Sequence, residues 1–338
     1  MVSRKAPLFA IIVPFETLEK DKYVFDCIRE CLNQSFQDFE LILLPSEKIN
    51  PKIFVEKFGK DSLKKIRCIP TGKKLRQGRI SVKRNLGIKN TKAKFIALVD
   101  SDAYPEKGWL ESAAKILEDP AVGIVGGPTL APKNIGFWEK TIIKTIHLYS
   151  VSTGLRYRMK KYRGHKIFDD LPSCNLITKR DLLFKVGLFD ERYFTGEDTL
   201  FCRKIRSLGK LILFNEKTIV HHHNRLLFGH LSRMRAFGSC KVRLLRELKI
   251  FPTMNLLLGL FFLYVILSPF VALVVPLLGA VALGLFVLYL LLICVDCLIN
   301  SVELFRVPFC VFVVFLTHLC YGFGSLEGFI FKKLNFRV

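Results

Sequence analysis

Short apolar runs alternate with amphipathic stretches along the first two thirds of the chain, and long unbroken apolar runs fill the last third. Leu8–Val13 is a β-rich apolar run closed by Pro14, Tyr23–Leu32 carries apolar residues at helical spacing, and Phe39–Leu44 is a second apolar run closed by P-S-E. Strand, helix, strand at this spacing predicts a βαβ unit with a parallel sheet. Ile66–Ile69 extends the strand series, and Arg79–Asn90 reads as a helix behind a loop marked by Gly78. Phe95–Val99 fits a buried strand, and Pro105 beyond it suits the first turn of a helix over Glu106–Glu118. Further strands are predicted over Val122–Val125, Asn175–Thr178, Leu211–Phe214 and Lys217–Val220. Helices are predicted over Trp138–Tyr149, up to Val186 with Gly187 as C-cap, and onward from Gly196. The pattern is that of an α/β head.

The tail reads differently. Met254–Val275 and Leu277–Ile299 are long and apolar enough to span a bilayer, joined very tightly at Pro276. A third apolar stretch, Val307–Phe331, contains His318, Glu327 and several glycines, and three placements stay open for it: spanning, re-entrant or interfacial. A full span would leave Lys332, Lys333 and Arg337 outside, against the positive-inside tendency. Between Arg225 and Lys249 eight Lys, Arg or His face only Glu247, with Leu and Phe interleaved, as in an interfacial helix on an anionic leaflet. The expected division is a catalytic head over 1–224, a basic interfacial helix over 225–252 and a transmembrane region over 253–338.

Charge sharpens this division. Of a net charge of +23, almost none lies beyond Pro252, where four basic residues face three acidic ones. A basic head favours polyanions, and the apolar tail selects membrane and phosphorylated substrates over nucleic acid. The expected place is the cytoplasmic membrane, multi-pass, with the head cytoplasmic. The ten cysteines form no paired framework; Cys294 and Cys297 lie in an apolar segment and read as helix packing. The N-terminus M-V-S-R-K-A-P lacks a signal-peptide apolar core before the first strand.

The chemistry gathers around F-I-A-L-V-D-S-D, where Asp100 and Asp102 follow a predicted buried strand. Ligands in open α/β sheets bind outside the carboxyl ends of strands, and two Asp there can share a divalent cation that holds a diphosphate. Lys83 and Arg84, in R-I-S-V-K-R-N-L-G, read equally as a solvated helix face or as a phosphate clamp. The basic run Arg156–Lys166 reads as a flexible loop, either merely solvated or meeting lipid headgroups or an acceptor phosphate. Glu197 and Asp198 open a helix after Gly196; they complement its dipole, and a carboxylate fixed there is also placed to accept a proton. Of His221, His222 and His223, at most one or two can reach a single ion, because neighbours on a strand face opposite ways.

The set I-I-V-P, V-K-R-N, D-S-D, V-G-L-F-D-E-R-Y-F-T-G-E-D and V-H-H-H, in this order from residue 8 to about 250, resembles family 2 glycosyltransferases with a GT-A fold. With the membrane tail it is similar to succinoglycan-type glucosyltransferases acting on lipid-linked intermediates of surface polysaccharides. The resemblance implies a GT-A, Rossmann-like nucleotide-sugar-binding domain followed by C-terminal transmembrane helices. It implies donor contacts at Pro14, Glu47, Lys83, Arg84, Asp100, Ser101 and Asp102, with Mg or Mn held by Asp102, Asp100 and His222. Asp198 takes the role of base, with Glu197 beside it. The expected partners are a nucleotide sugar, a UDP-sugar above others, and a lipid-linked acceptor.

One departure concerns the base of the nucleotide. Many members carry D-D or D-G-S after the second strand, whereas here L-L-P-S-E-K leaves Glu47 as the acid near that place. A second concerns processivity: Q-x-x-R-W is missing after E-D, and the two Trp, Trp109 and Trp138, both precede it. Single-sugar, inverting transfer is the expectation. The rivals are transfer to polyprenyl phosphate, which needs no strong base, and a non-catalytic scaffold.

Overall fold

The computed structural model describes residues 6–72, 80–151, 164–193 and 195–331. The chain falls into two compact units, Met1–Pro132 with Arg158–His223, and Lys133–Tyr157 with Asn224–Val338.

The strands of the first unit are β1 (Phe9–Pro14), β2 (Phe39–Leu44), β3 (Ile66–Cys68), β4 (Phe95–Leu98), β5 (Ala103–Pro105), β6 (Val122–Gly126), β7 (Thr129–Leu130), β8 (His165–Ile167), β9 (Leu176–Lys179), β10 (Leu211–Asn215) and β11 (Val220–His222). Eight of them form one sheet in the order β3-β2-β1-β4-β9-β6-β10-β8. The pairs among β1, β2, β3 and β4 are parallel, as the βαβ reading requires, and β10 runs parallel to β6. β9 runs antiparallel between β4 and β6, so the sheet is mixed. β8 takes the end of the basic run Arg156–Lys166 as an antiparallel edge strand; the run's first eight residues, with Gly78 and Arg79, lie outside those described.

Helices α1 (Val24–Leu32), α2 (Lys52–Phe58), α3 (Ile80–Lys89), α4 (Trp109–Glu118), α6 (Arg180–Lys185) and α7 (Glu197–Ser207) belong to this unit, and α5 (Phe137–Ile146) to the other. β1 is buried along its length, which is why it reads as an unbroken apolar run rather than an alternating one. On one side Phe9, Ile11 and Val13 meet Val24, Cys27, Ile28 and Cys31 of α1 and Trp109, Leu110 and Ala113 of α4. The α1 set recurs at i, i+3, i+4 and i+7, the stripe that makes this helix amphipathic. On the other side α3 packs so closely that a Cβ on Gly87 would lie 2.9 Å from Leu44 Cδ1 and 3.0 Å from Ile12 Cγ2.

A second, small sheet has the order β5-β11-β7. Pro105, expected to open a helix, instead closes β5 opposite Val220, and the helix begins four residues later at Trp109. The pairing sets His222 opposite Ala103, directly after the D-S-D turn.

The second unit holds α5, α8 (Leu227–Glu247), α9 (Thr253–Val274), α10 (Pro276–Ile299) and α11 (Val307–Ile330). Residues 133–157, read from the sequence as part of the head, group here. The reason is a set of long-range polar contacts that sequence spacing does not reveal. Arg306 Nη1 donates to Phe137 O (3.0 Å) and Thr141 Oγ1 (2.8 Å), and the Asp296 carboxylate accepts from the Tyr149 and Ser150 amides. α8 lays a face of small residues on α11, and a Cβ on Gly324 would come within 1.9 Å of Arg235 O. The exposed Arg235 pairs with Glu327, which explains a carboxylate inside an apolar segment. α9, α10 and the segment ending in α11 are long and apolar enough to cross a membrane. Lys332, Lys333 and Arg337 lie outside the described residues.

Candidate active site

β1, β2 and β4 run parallel, so their C-terminal ends share one edge of the sheet, and the chain entering antiparallel β9 arrives at the same edge. The candidate residues gather there.

α3 organises them. Lys83, Arg84 and Asn85 are consecutive and all buried, and each grips a different segment. Lys83 Nζ donates to Phe15 O beyond β1 and to Ser46 Oγ beyond β2 (2.9 Å). Burial pushes its ammonium down to about 8, with Glu16 and Asp21 pulling the other way. Arg84 donates to Asp100 Oδ1 (2.5 Å) and Glu197 Oε1 (3.0 Å) while 1 % exposed. Burial alone would lower the guanidinium's hold on its proton, but Asp100, Glu197 and Asp198 outweigh it and keep it above its ordinary value. Asn85 exchanges hydrogen bonds with the Phe189 backbone and donates to Glu191 Oε1 (2.9 Å), which fastens the G-L-F-D-E turn. Both basic residues of the V-K-R-N run therefore face inward rather than lining a solvated helix face.

The D-S-D turn is held from several sides. Ser101 Oγ donates to Asp21 Oδ1 (2.8 Å), and the other Asp21 oxygen accepts from the Glu16 and Thr17 amides. Asp21 thus ties the exit of β1, where Pro14 is buried, to the carboxylate pair. Asp102 Oδ1 lies 3.2 Å from His222 Nε2, and Asp102 O accepts from the His223 amide (2.9 Å). The triplet divides as strand geometry requires. His221 turns to Glu106 and Ala131 O, and His223 stacks on Tyr23 with ring centroids 3.5 Å apart, leaving His222 with the carboxylates.

Donor atoms of Asp100, Cys174 and His222 lie within 4.8 Å of one another. Cis ligands of a divalent ion, each about 2.1 Å from it, sit about 3 Å apart, which matches the Asp102–His222 separation. Two carboxylates and an imidazole suit Mg or Mn; the thiol is a softer donor that Mg disfavours. The donor set therefore fits a divalent ion. Cys174 escaped the sequence reading because a lone Cys before a strand carries no spacing signal. Asp21 likewise sits in an unremarkable loop.

Asp198 is half-buried at the start of α7, with one oxygen on the Ser173 amide (3.3 Å) and the other on the Thr199 amide (2.8 Å). The bond to Ser173 sets it one residue from Cys174. Glu197 faces inward to Arg84. Burial pushes its carboxyl up to about 7, the Asp198 charge adds to the rise, and Arg84 opposes it. Sequence reading gave Glu197 a helix-dipole role, and the structure gives it a buried ionic partner besides. Gly196, with φ of 85°, makes the sharp entry that sets both acids at the helix start. Farther along the edge, Glu47 lines an open cleft of about 460 Å³ with Ser46, Lys48, Pro70 and Gly72.

The floor of the site is fixed by Asn175, whose amide reaches Gly127 O, Pro128 O and Thr218 O and whose Oδ1 accepts from Trp109 Nε1. A Cβ on Gly127 would lie 2.3 Å from Asn215 O, so the G-G-P turn needs glycine for close approach.

The model of Glycosyl transferase family 2 matches residues 11–184. A pre-mycofactocin glycosyltransferase of Mycobacterium tuberculosis is 29% identical over 144 residues, 42% of this chain and 29% of that protein. Glycosyltransferase GlyA of Streptococcus pneumoniae is 23% identical over 234 residues, 66% of this chain and 31% of that protein. The chain thus spans less than a third of the length of these curated relatives. Among solved structures, the mannosyltransferase PcManGT of Pyrobaculum calidifontis, in complex with GDP-Man and Mn2+, superposes with a TM-score of 0.57. It is 14% identical over 98% of this chain and 89% of its own, a likeness of fold.

Proposed function

The chain belongs to glycosyl transferase family 2, and on that premise we propose that it moves one sugar from a nucleotide-sugar donor to a lipid-linked saccharide acceptor, with inversion, at the cytoplasmic face of a membrane. The observation that carries this reading is the convergence of Asp100, Asp102, His222 and Cys174 beside Asp198, at the strand edge where α/β sheets bind ligands.

Asp100, Asp102 and His222 would hold a divalent ion, Mg or Mn, which when bound supplies positive charge to the departing diphosphate. Pro14 and Ser101 are the further donor contacts of this reading, and Glu47, which lines the open cleft, is the residue offered to the base of a UDP-sugar. Lys83 and Arg84 serve the donor indirectly: they fix the loops after β1 and β2 and orient Asp100. Asp198 accepts the proton of the acceptor hydroxyl, being the less buried acid of its pair, as that oxygen bonds to the anomeric carbon from the face opposite the diphosphate and the nucleoside diphosphate leaves with the bonding electrons. No enzyme nucleophile is needed. The missing Q-x-x-R-W supports a single addition rather than polymerisation. An intact acid set supports an active enzyme over a scaffold.

The test is calorimetry of UDP and GDP with the full chain, with and without Mn, alongside turnover of the matching nucleotide sugars. Mn-dependent nucleoside diphosphate binding that Asp102→Ala abolishes is the expected result. Affinity indifferent to both Mn and Asp102 overturns the assignment of the donor site.

A further inference from the structure

The apolar helices of the second unit form a wedge. The first turns of α9 pack on the C-terminal half of α11: Asn255 Nδ2 donates to Ser325 Oγ (3.0 Å), and a Cβ on Gly322 would lie 2.1 Å from Leu258 O. The last turns of α10 pack on the N-terminal half of α11, where Ile293 and Cys297 meet Cys310 and Val314. Midway, Phe261, Tyr289 and His318 meet in one aromatic cluster. Between Gly259 and Ile293 neither α9 nor α10 has a buried residue. The two helices therefore stand with their feet at opposite ends of α11 and lean together toward Val275–Pro276. Because α11 joins the feet, both of its ends lie on the foot side of the wedge.

The apex is unsuited to water. Pro269–Leu288 contains no polar or charged side chain. A turn emerging on the far face of a bilayer would sit among headgroups, where Trp, Tyr, Lys and Arg anchor chains. A turn inside hydrocarbon must instead satisfy its backbone internally. This one does so in part, since the Ala272, Leu273 and Val274 carbonyls at the end of α9 are left without an intrahelical partner. The helices are separated by the single residue Val275, whose amide donates to Val271 O (2.8 Å) while its own carbonyl accepts from Gly279 (3.1 Å). Pro276 has no amide hydrogen, so helix geometry leaves only Leu277 and Leu278 as orphan donors.

Dimensions agree. At 1.5 Å per residue the legs from Asn255 and Cys297 to the apex are about 30 Å, and the base from Cys310 to Ser325 is about 22 Å. Such a triangle is about 28 Å high, short of the roughly 40–45 Å of a whole bilayer. Exposed Trp138, Phe305 and Phe309 sit by the foot of α10, and exposed Phe251 precedes the foot of α9, as an interfacial belt would.

We propose that this chain is monotopic. In place of the multi-pass topology expected from composition, the α9–α10 wedge dips into the bilayer with its apex in hydrocarbon. α11 lies along the near interface, and no described segment of the second unit reaches the far side. This goes beyond the transferase reading, and its test uses no turnover.

Single cysteines are added to the full chain at Ile250→Cys, Leu304→Cys, Val275→Cys or as an appended C-terminal residue. Sealed vesicles of both orientations are treated with a membrane-impermeant PEG-maleimide, and gel shifts are read against the parent chain. The expected result is labelling of Ile250→Cys, Leu304→Cys and the appended residue from one and the same face. Val275→Cys should label from neither face until detergent is added. Leu278→Cys repeats the apex measurement should Val275→Cys fail to accumulate. Apex labelling from the opposite face means a spanning hairpin, and an appended cysteine on the face opposite Ile250→Cys means a third span. Apex labelling from the same face means no insertion. Each of these three overturns the proposal.

Discussion

Arg84 holds two acids of unlike exposure, Asp100 and Glu197, and that arrangement separates the roles of Glu197 and Asp198. Asp198→Asn keeps one of the two backbone contacts, to Ser173 or Thr199, through its amide oxygen, and removes a proton acceptor. It should lower turnover by more than about 100-fold and leave nucleoside diphosphate affinity unchanged in calorimetry. Glu197→Gln keeps an acceptor for Arg84, and its signature is in stability. The folded-state pKa of Glu197 is raised to about 7. Its contribution is therefore complete below the unfolded carboxyl's ordinary value and is lost as pH rises toward 7. Between about pH 4.5 and 7 the parent should lose stability relative to Glu197→Gln, at up to about 1.4 kcal/mol per pH unit, read as diverging melting temperatures. Parallel curves would show that Arg84 keeps Glu197 ionised. Much of this site was legible. Asp100 and Asp102 stand out because acids directly after a buried apolar run have few ordinary reasons to be there, whereas Asp198 at a helix start also has the helix dipole to explain it. Lys83 and Arg84 read equally as a solvated face or a phosphate clamp, since a basic run does not show its long-range acceptors. Which histidine of three faces the acids was set by the register of β11, one residue of which would have exchanged the candidates.

The elements legible in sequence were those whose burial is symmetric. β1, β2, β4 and β6 are covered on both faces and show unbroken apolar runs at the expected places. Direction is not written in such runs, so antiparallel β9 could not be told from its parallel neighbours, and three-residue β5 shows no run of its own, its Pro105 suiting a helix start instead. α11 shows the complementary case, where the several glycines of the apolar stretch are contact points. Gly324 lies against the Arg235 backbone, while Gly284 on α10 has nothing within 4 Å of an added Cβ. Gly324→Ala should destabilise the detergent-solubilised protein by about 1–3 kcal/mol through overpacking. Gly284→Ala, which gains helix propensity without a clash, should be neutral or stabilising. Thermal melts of the two variants, compared with the parent, check this directly. Equal effects would mean that α8 and α11 do not pack through Gly324.

At the scale of the molecule, the basic head and apolar tail hold the chain to the membrane by different forces. High salt screens exposed charges within a few ångströms but leaves apolar burial intact. Membranes washed in about 1 M salt should therefore retain the protein in the pellet, and release by salt would mean that the apolar wedge is not inserted. The change in composition at residue 253 was plain in the sequence. The membership of α5 was not, because nothing local distinguishes an amphipathic helix that serves its own sheet from one that serves a distant bundle. That membership has a consequence for biosynthesis. Thr141 finds Arg306 across 165 positions of chain. At about 5–20 residues per second, roughly 8 to 33 seconds pass between synthesis of the two. Throughout that interval α5 is already made, encoded between strands of a sheet to which it does not belong, while the helices that will pack on it are still unborn. A nascent chain stalled before residue 306 would then carry a finished head and an orphaned α5, the surface on which a cell's holding factors would be expected to act.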